Sequence, residues 1–318
     1  MKKWVSIGIL FFFTIIIAGF IQPEKKITKA ALGQRLFNEP ILSLDSSVSC
    51  ASCHKPEFAF ADTIAFSVGI GGKLTSRNTP SVLNMKNRPY FFWDGRAASL
   101  EEQALMPIQN PDEMGLPIED AVIRLREHPE YRKLFKRVFG TLPNKKNLAA
   151  ALAAFEETLE TVNSRFDDWS NDLGELTEEE ERGRVLFVGD KAKCFNCHSM
   201  VDFTDDDFKN IGLFDGNTLN DRGRFVISKD SADIGKFKTP GLRNIAVTAP
   251  YMHNGMFQTL EQVLAYYNFT SHFVDDPINI DAELTRPLGL SASERRDIIA
   301  FLKTLTDRSY VKKAFNEN

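Results

Sequence analysis

At 318 residues the chain is long enough for two domains of ordinary size, each burying its own core. A net charge of −4 and a mixed composition exclude a basic nucleic-acid binder and a protein built for acidic membrane surfaces. Phenylalanine is abundant at 26 residues, which suits packing around flat apolar groups as well as an ordinary aromatic core.

The N-terminus opens with Met1-Lys2-Lys3 and continues uncharged over residues 4–21, the pattern of an export signal or a membrane anchor. Residues 1–22 are therefore read as a leader that carries the chain to the periplasm, either cleaved or retained in the inner membrane. Exported cysteines usually pair as disulfides, but the four here occur only as Cys50-Ala51-Ser52-Cys53-His54 and Cys194-Phe195-Asn196-Cys197-His198. Two copies of C-x-x-C-H are the signature of c-type haem attachment. Two thiols on one turn can bond the two vinyl groups of a haem, and the adjacent imidazole reaches the iron. A zinc site would need further cysteines, and none exist.

The flanks repeat too. Gly33-Gln34-Arg35-Leu36-Phe37 precedes the first motif and Gly183-Arg184-Val185-Leu186-Phe187 the second, while Phe60-Ala61-Asp62 and Phe203-Thr204-Asp205 follow them. Two copies of one small haem domain explain this pattern. Helical spacing of apolar residues predicts helices over 148–162, 260–267 and 298–305. Thr259 with Gln262 caps the second, and Ser291 or Ser293 caps the third. Long loops at 69–87 and 215–254 could cover haem faces. The polar stretch 163–181 reads as a linker ending in an acidic first turn, Glu178 to Glu181. The expected fold is all-α, with two cytochrome c-like haem domains over 23–168 and 169–318.

The sequence resembles the bacterial di-haem cytochrome c peroxidases and their relative, the methylamine-utilisation protein MauG, over nearly all of the chain after the leader. The resemblance is carried by Arg77-Asn78-Thr79-Pro80-Ser81, Phe92-Trp93-Asp94-Gly95-Arg96-Ala97, Leu100-Glu101-Glu102-Gln103-Ala104 and Thr248-Ala249-Pro250-Tyr251-Met252-His253-Asn254-Gly255. It implies that hydrogen peroxide reacts at the N-terminal haem, held by Cys50, Cys53 and His54, in a distal pocket containing Gln103, Pro107 and Glu113. Peroxide cleavage moves a proton from one oxygen to the other, work suited to a positioned carboxylate. Trp93 matches the tryptophan between the two haems. Asn78 with the carbonyls of Thr248 and Pro250 matches an interhaem calcium site, and such neutral oxygen ligands do suit calcium.

Two departures stand out. Ordinary members carry a histidine that blocks the peroxidatic iron, and the matching residue here is Ile70, which cannot ligate. The C-terminal haem, held by Cys194, Cys197 and His198, has a methionine as its sixth ligand in ordinary members; here the matching residue is Tyr267, as in MauG. Met252, Met256 and Tyr266 are rival ligands. His253 is expected near a haem, His128 and His272 at the surface. The resemblance implies a peroxidase fed by a small c-type cytochrome or another donor, with MauG-like oxidation of a partner protein as the alternative and a homodimer as a common assembly. A pure electron carrier is the rival from another class, and a haem sensor without an output domain is weaker still.

Overall fold

A computed structural model of the chain describes residues 27–199 and 201–310. The segment 1–22 lies outside them, and no helix among the described residues is long and apolar enough to cross a membrane.

Helix α1 (Lys29–Phe37) is capped by the Thr28 hydroxyl and buries Leu32, Gly33, Leu36 and Phe37 on one face. The single turn α2 (Cys50–Cys53) carries the first pair of thiols. Helices α3 (Leu100–Gln109), α4 (Ile118–Glu127), α5 (Pro129–Phe139) and α6 (Lys145–Glu156) complete the first half. Their apolar faces and that of α1 close one core, centred on Leu36, Phe37, Ile108, Leu125 and Leu148. The helix expected over 148–162 ends at Glu156, after which residues 158–163 run irregularly with no helical ladder.

The stretch read as a linker carries its own structure. Ser164 makes a capping box with Asp167 and starts α7 (Arg165–Ser170). Asp167 is then held by Arg243 in a buried ion pair of 2.9 Å. Local capping chemistry within a polar run thus outweighed its linker-like composition. Helix α8 (Glu178–Val188) begins at the expected acidic turn behind a Thr177 cap.

In the second half, a short ladder of β1 (Phe208–Lys209) and β2 (Phe237–Lys238) flanks α9 (Phe225–Ser228). Helices α10 (Leu260–Asn268) and α11 (Ala292–Thr304) start at capping boxes on Thr259 and Ser291. A second core gathers Phe187, Phe203, Leu264, Tyr266, Ile298 and Phe301.

The two halves repeat each other at atomic detail. A Cβ on Gly33 would lie 1.8 Å from the Ala151 carbonyl oxygen, and one on Gly183 would lie 1.9 Å from that of Asp297. Both glycines exist because α1 on α6, and α8 on α11, approach more closely than any side chain permits. Beside each crossing the rings match: Phe37 to Phe155 is 5.2 Å and Phe187 to Phe301 is 5.3 Å between centroids.

Candidate functional site

Each C-x-x-C-H motif packs its first cysteine against the core of its own half. All four cysteines are free thiols, and burial pushes Cys50 and Cys194 up to about 12, so they stay protonated. His54 Nδ1 lies 3.1 Å from the Phe60 carbonyl oxygen, and His198 Nδ1 lies 2.9 Å from that of Phe203. A carbonyl only accepts, so Nδ1 is the protonated nitrogen and Nε2 keeps its lone pair. Burial also holds both imidazoles below the ordinary histidine value, which keeps them neutral. Neutral imidazoles fixed through Nδ1 and paired with unbridged thiols fit covalently attached haem.

In the second half these groups border a cavity lined largely by apolar side chains, among them Leu264, Ile298 and Leu302. Tyr267 and Met252 reach that cavity as well. Tyr266 does not: it is fully buried in the core, and its hydroxyl donates to the Ile211 carbonyl. Met256 is 37 % exposed and stands outside the cavity lining. Of the rival ligands, only Met252 competes for the space next to Tyr267. Burial raises the Tyr267 phenol well above its usual value.

The same cavity runs on past Trp93, Asn78, Thr248 and Pro250. Trp93 Nε1 donates to the Asn78 carbonyl at 2.8 Å, and Asn78 N–H donates to the His253 carbonyl at 2.7 Å. His253 stacks on Phe237 at 3.8 Å and faces Trp93 edge-on at 6.5 Å. Burial pulls it down to about 4. The long loops thus line the space between the halves. His272 is exposed, whereas His128 is half-buried against Tyr131, contrary to its expected place at the surface. It heads α5 ahead of Pro129, and the turn there draws its ring inward.

In the first half, Gln103 and Pro107 stand one turn apart on α3, on one face. The chain then folds back, Met114 N–H donating to the Pro107 carbonyl at 3.2 Å, which brings Glu113 beside that face. Burial raises the Glu113 carboxyl above the ordinary carboxylate range, against a 2.6 Å hydrogen bond from Asn110 Nδ2. Ile70 is buried behind the same turn, its N–H donating to the Glu113 carbonyl at 2.8 Å and its Cδ1 filling the space a Gly115 side chain would need. Where the resemblance would put an iron-blocking histidine, an apolar side chain braces the loop that carries Glu113.

A longer internal repeat, unread in the sequence, relates the two halves. Residues 91–107 match 251–267: Phe92 and Met252 share positive φ, as do Gly95 and Gly255, the bridges Phe91 to Ala97 and Tyr251 to Phe257 coincide, and Ser99 and Thr259 cap α3 and α10. Trp93 therefore corresponds to His253, and Pro107 to Tyr267. The signal lay in the paired turn residues Asp94-Gly95 and Asn254-Gly255, each followed by a hydroxyl cap and leucine.

Residues 27–174 match the family model described as di-haem cytochrome c peroxidase. The chain is 42% identical to the methylamine utilization protein MauG of Methylorubrum extorquens over 280 residues, covering 87% of this chain and 78% of that one. It is 37% identical to the cytochrome c551 peroxidase of Nitrosomonas europaea, covering 90% and 84%. A solved MauG-like protein associated with microbial copper homeostasis superposes with a TM-score of 0.80 at 35% identity, covering 89% of this chain and 90% of that one. The chain belongs to the di-haem cytochrome c peroxidase family.

Proposed function

We propose that the protein is a periplasmic di-haem peroxidase that converts hydrogen peroxide, with two protons and two electrons, to two molecules of water in the pocket of Gln103, Pro107 and Glu113. The haem tethered through Cys50, Cys53 and His54 supplies the iron at which peroxide is reduced. Every other part falls to the chain's own side chains. Glu113, raised by burial, takes a proton from one peroxide oxygen and returns it to the other. Gln103 orients peroxide by hydrogen bonding without ligating metal. Pro107, at the place that Tyr267 occupies in the other half, offers no ligand atom, and Ile70 offers none either. The buried Glu113 carboxyl, with Pro107 and Ile70 beside it offering no ligand atom, supports this reading, because a pure electron carrier gains nothing from it.

Tyr267 would serve the C-terminal haem, held by Cys194, Cys197 and His198, as its sixth ligand. A hard phenolate favours ferric iron where a thioether favours ferrous. Trp93, between the pockets, would carry electrons across. Asn78, Thr248 and Pro250 would hold calcium through oxygen atoms. A small c-type cytochrome is the default donor, the two haem domains dividing near residue 168.

One pair of observations favours a second reading. Ile70 and Tyr267 both depart from the ordinary peroxidase pattern in the direction of MauG-like oxidation of a partner protein. Steady-state peroxide consumption by the covalently loaded protein tests the choice, with reduced cytochrome c among the donors. Rapid turnover is expected for the peroxidase; turnover that stays slow with every donor supports protein oxidation, and no consumption at all supports the carrier.

A further inference from the structure

In the second half, Ile298 and Leu302 of α11 line the cavity beside Cys194, Cys197 and His198. Helix α6 is the same element in the first half. Gly33 meets the Ala151 carbonyl and the Phe155 Cβ, just as Gly183 meets the Asp297 carbonyl and the Phe301 Cβ. Phe155 thus falls on Phe301, Leu152 on Ile298, and Glu156 on Leu302. By this match Glu156, in the last turn of α6, stands where α11 carries Leu302 in the cavity wall of the second half.

Glu156 is only 5 % exposed. Among the described residues its carboxyl group has no hydrogen-bond or ion-pair partner, although carboxylates are almost never buried without one. It is also the foremost neighbouring charge acting on the Cys50 thiol, so the two groups lie near one another. A leucine would fill this place at less cost in desolvation, so the carboxyl group has a use.

We propose that Glu156 is a tuning residue for the N-terminal haem, releasing its carboxyl proton when that haem gives up an electron and taking it back when the electron returns. One proton leaves with one electron, and the net charge of the pocket stays level. The inference rests on the proposed role of that haem and adds a residue to it.

Burial alone raises this carboxyl, to about 8, with no partner opposing it. The other charged groups around α6 are engaged elsewhere. On α1, Lys29 is exposed over Phe139 and Arg35 is bound to Glu130 at the surface. The acids of α3, Glu101 and Glu102, and of α4, Glu119, Asp120 and Glu127, are exposed. Arg124 and Arg126 of α4 are hydrogen-bonded to backbone carbonyls. Lys145, Lys146 and the neighbouring Glu157 are exposed. Glu113 remains within reach of the Cys50 thiol, bonded to Asn110.

Spectroelectrochemical titration of the holoprotein across pH 6 to 9, on the native chain and on Glu156→Gln and Glu156→Leu, is the test. In the native protein the N-terminal haem potential is expected to fall as pH rises, while the C-terminal potential is expected to keep the same pH response in all three proteins. Both variants are expected to lose the N-terminal slope. At pH 9 and fixed applied potential, their N-terminal ferric-to-ferrous ratio should drop on the order of tenfold, as for one charge removed from a low-dielectric pocket. No slope in the native protein, or a slope kept in both variants, overturns the proposal while covalent haem and peroxide consumption persist. Absence of covalent haem at the first motif overturns the peroxidase reading and this inference together.

Discussion

Glu113 owes its character to where the chain turns. Folding residues 110–116 back on α3 removes the carboxyl from water, and burial raises it despite the Asn110 hydrogen bond. In the proposed function its ionised form acts as the base, so peroxide reaction should weaken as pH falls through a value above the ordinary carboxylate range. Glu113→Gln should lower the second-order rate with peroxide by about 10²- to 10⁴-fold at neutral pH and flatten that limb of the profile, as read by stopped-flow absorbance. The match of Pro107 with Tyr267 sharpens the contrast between the pockets. One repeat position ends in a ring without a donor atom and the other in a phenol at the cavity wall, so the two sites can differ in chemistry without any change in the surrounding fold.

At the scale of elements, the helix crossings decide stability. Glycine inside a helix normally costs about 1 kcal/mol relative to alanine, and exposed positions gain from the exchange. Gly33 and Gly183 should show the opposite sign, because an added Cβ would overlap backbone carbonyl oxygen at 1.8 and 1.9 Å. Gly33→Ala should lower stability by about 1–3 kcal/mol, the usual cost of overpacking, measured as a fall in the denaturant midpoint. An unchanged or raised midpoint would mean that α1 and α6 are not this close. The sequence reported these crossings only indirectly, as a repeated glycine before leucine and phenylalanine. Capped helices were legible because a cap is a local hydrogen-bond pattern: Thr259 with Gln262 and Ser291 with Glu294 lie three residues apart. The end of α6 at Glu156 was not, since apolar spacing continued to Val162 after the helix had stopped.

Across the whole molecule, the halves are joined by ion pairs between residues remote in sequence. Arg77 binds Asp221, Arg88 binds Asp202 and Asp206, and Arg243 binds Asp167. No periodicity marks such partners, so this network was invisible in the sequence, whereas the haem motifs were plain because covalent attachment dictates their spacing. Glu156 was hidden for a similar reason: an acid after an alanine-rich run reads as a solvated face until the second half shows what stands there.

Asp167 illustrates the energetics of the network. Burial would raise its pKa, but the hydrogen bonds from Arg243 and Ser164 outweigh it and hold the carboxyl below the ordinary aspartate range. Its contribution is present above the unfolded value and lost as pH falls through the folded one. Arg243→Leu should cost about 3 kcal/mol near neutral pH by leaving a buried carboxylate unpaired. The gap to the native protein should narrow below about pH 4 in denaturant titrations; a gap independent of pH would rule out the ion pair as its source.

In the proposed function the first haem site is ready for peroxide without prior reduction, because neither Ile70 nor Pro107 offers a ligand atom. Stopped-flow mixing of the fully oxidised, covalently loaded protein with hydrogen peroxide tests this directly. A rapid absorbance change with consumption of peroxide, requiring no reductant beforehand, is the expected result. A fully oxidised protein that stays spectrally silent, and reacts only after one haem has been reduced, would contradict it.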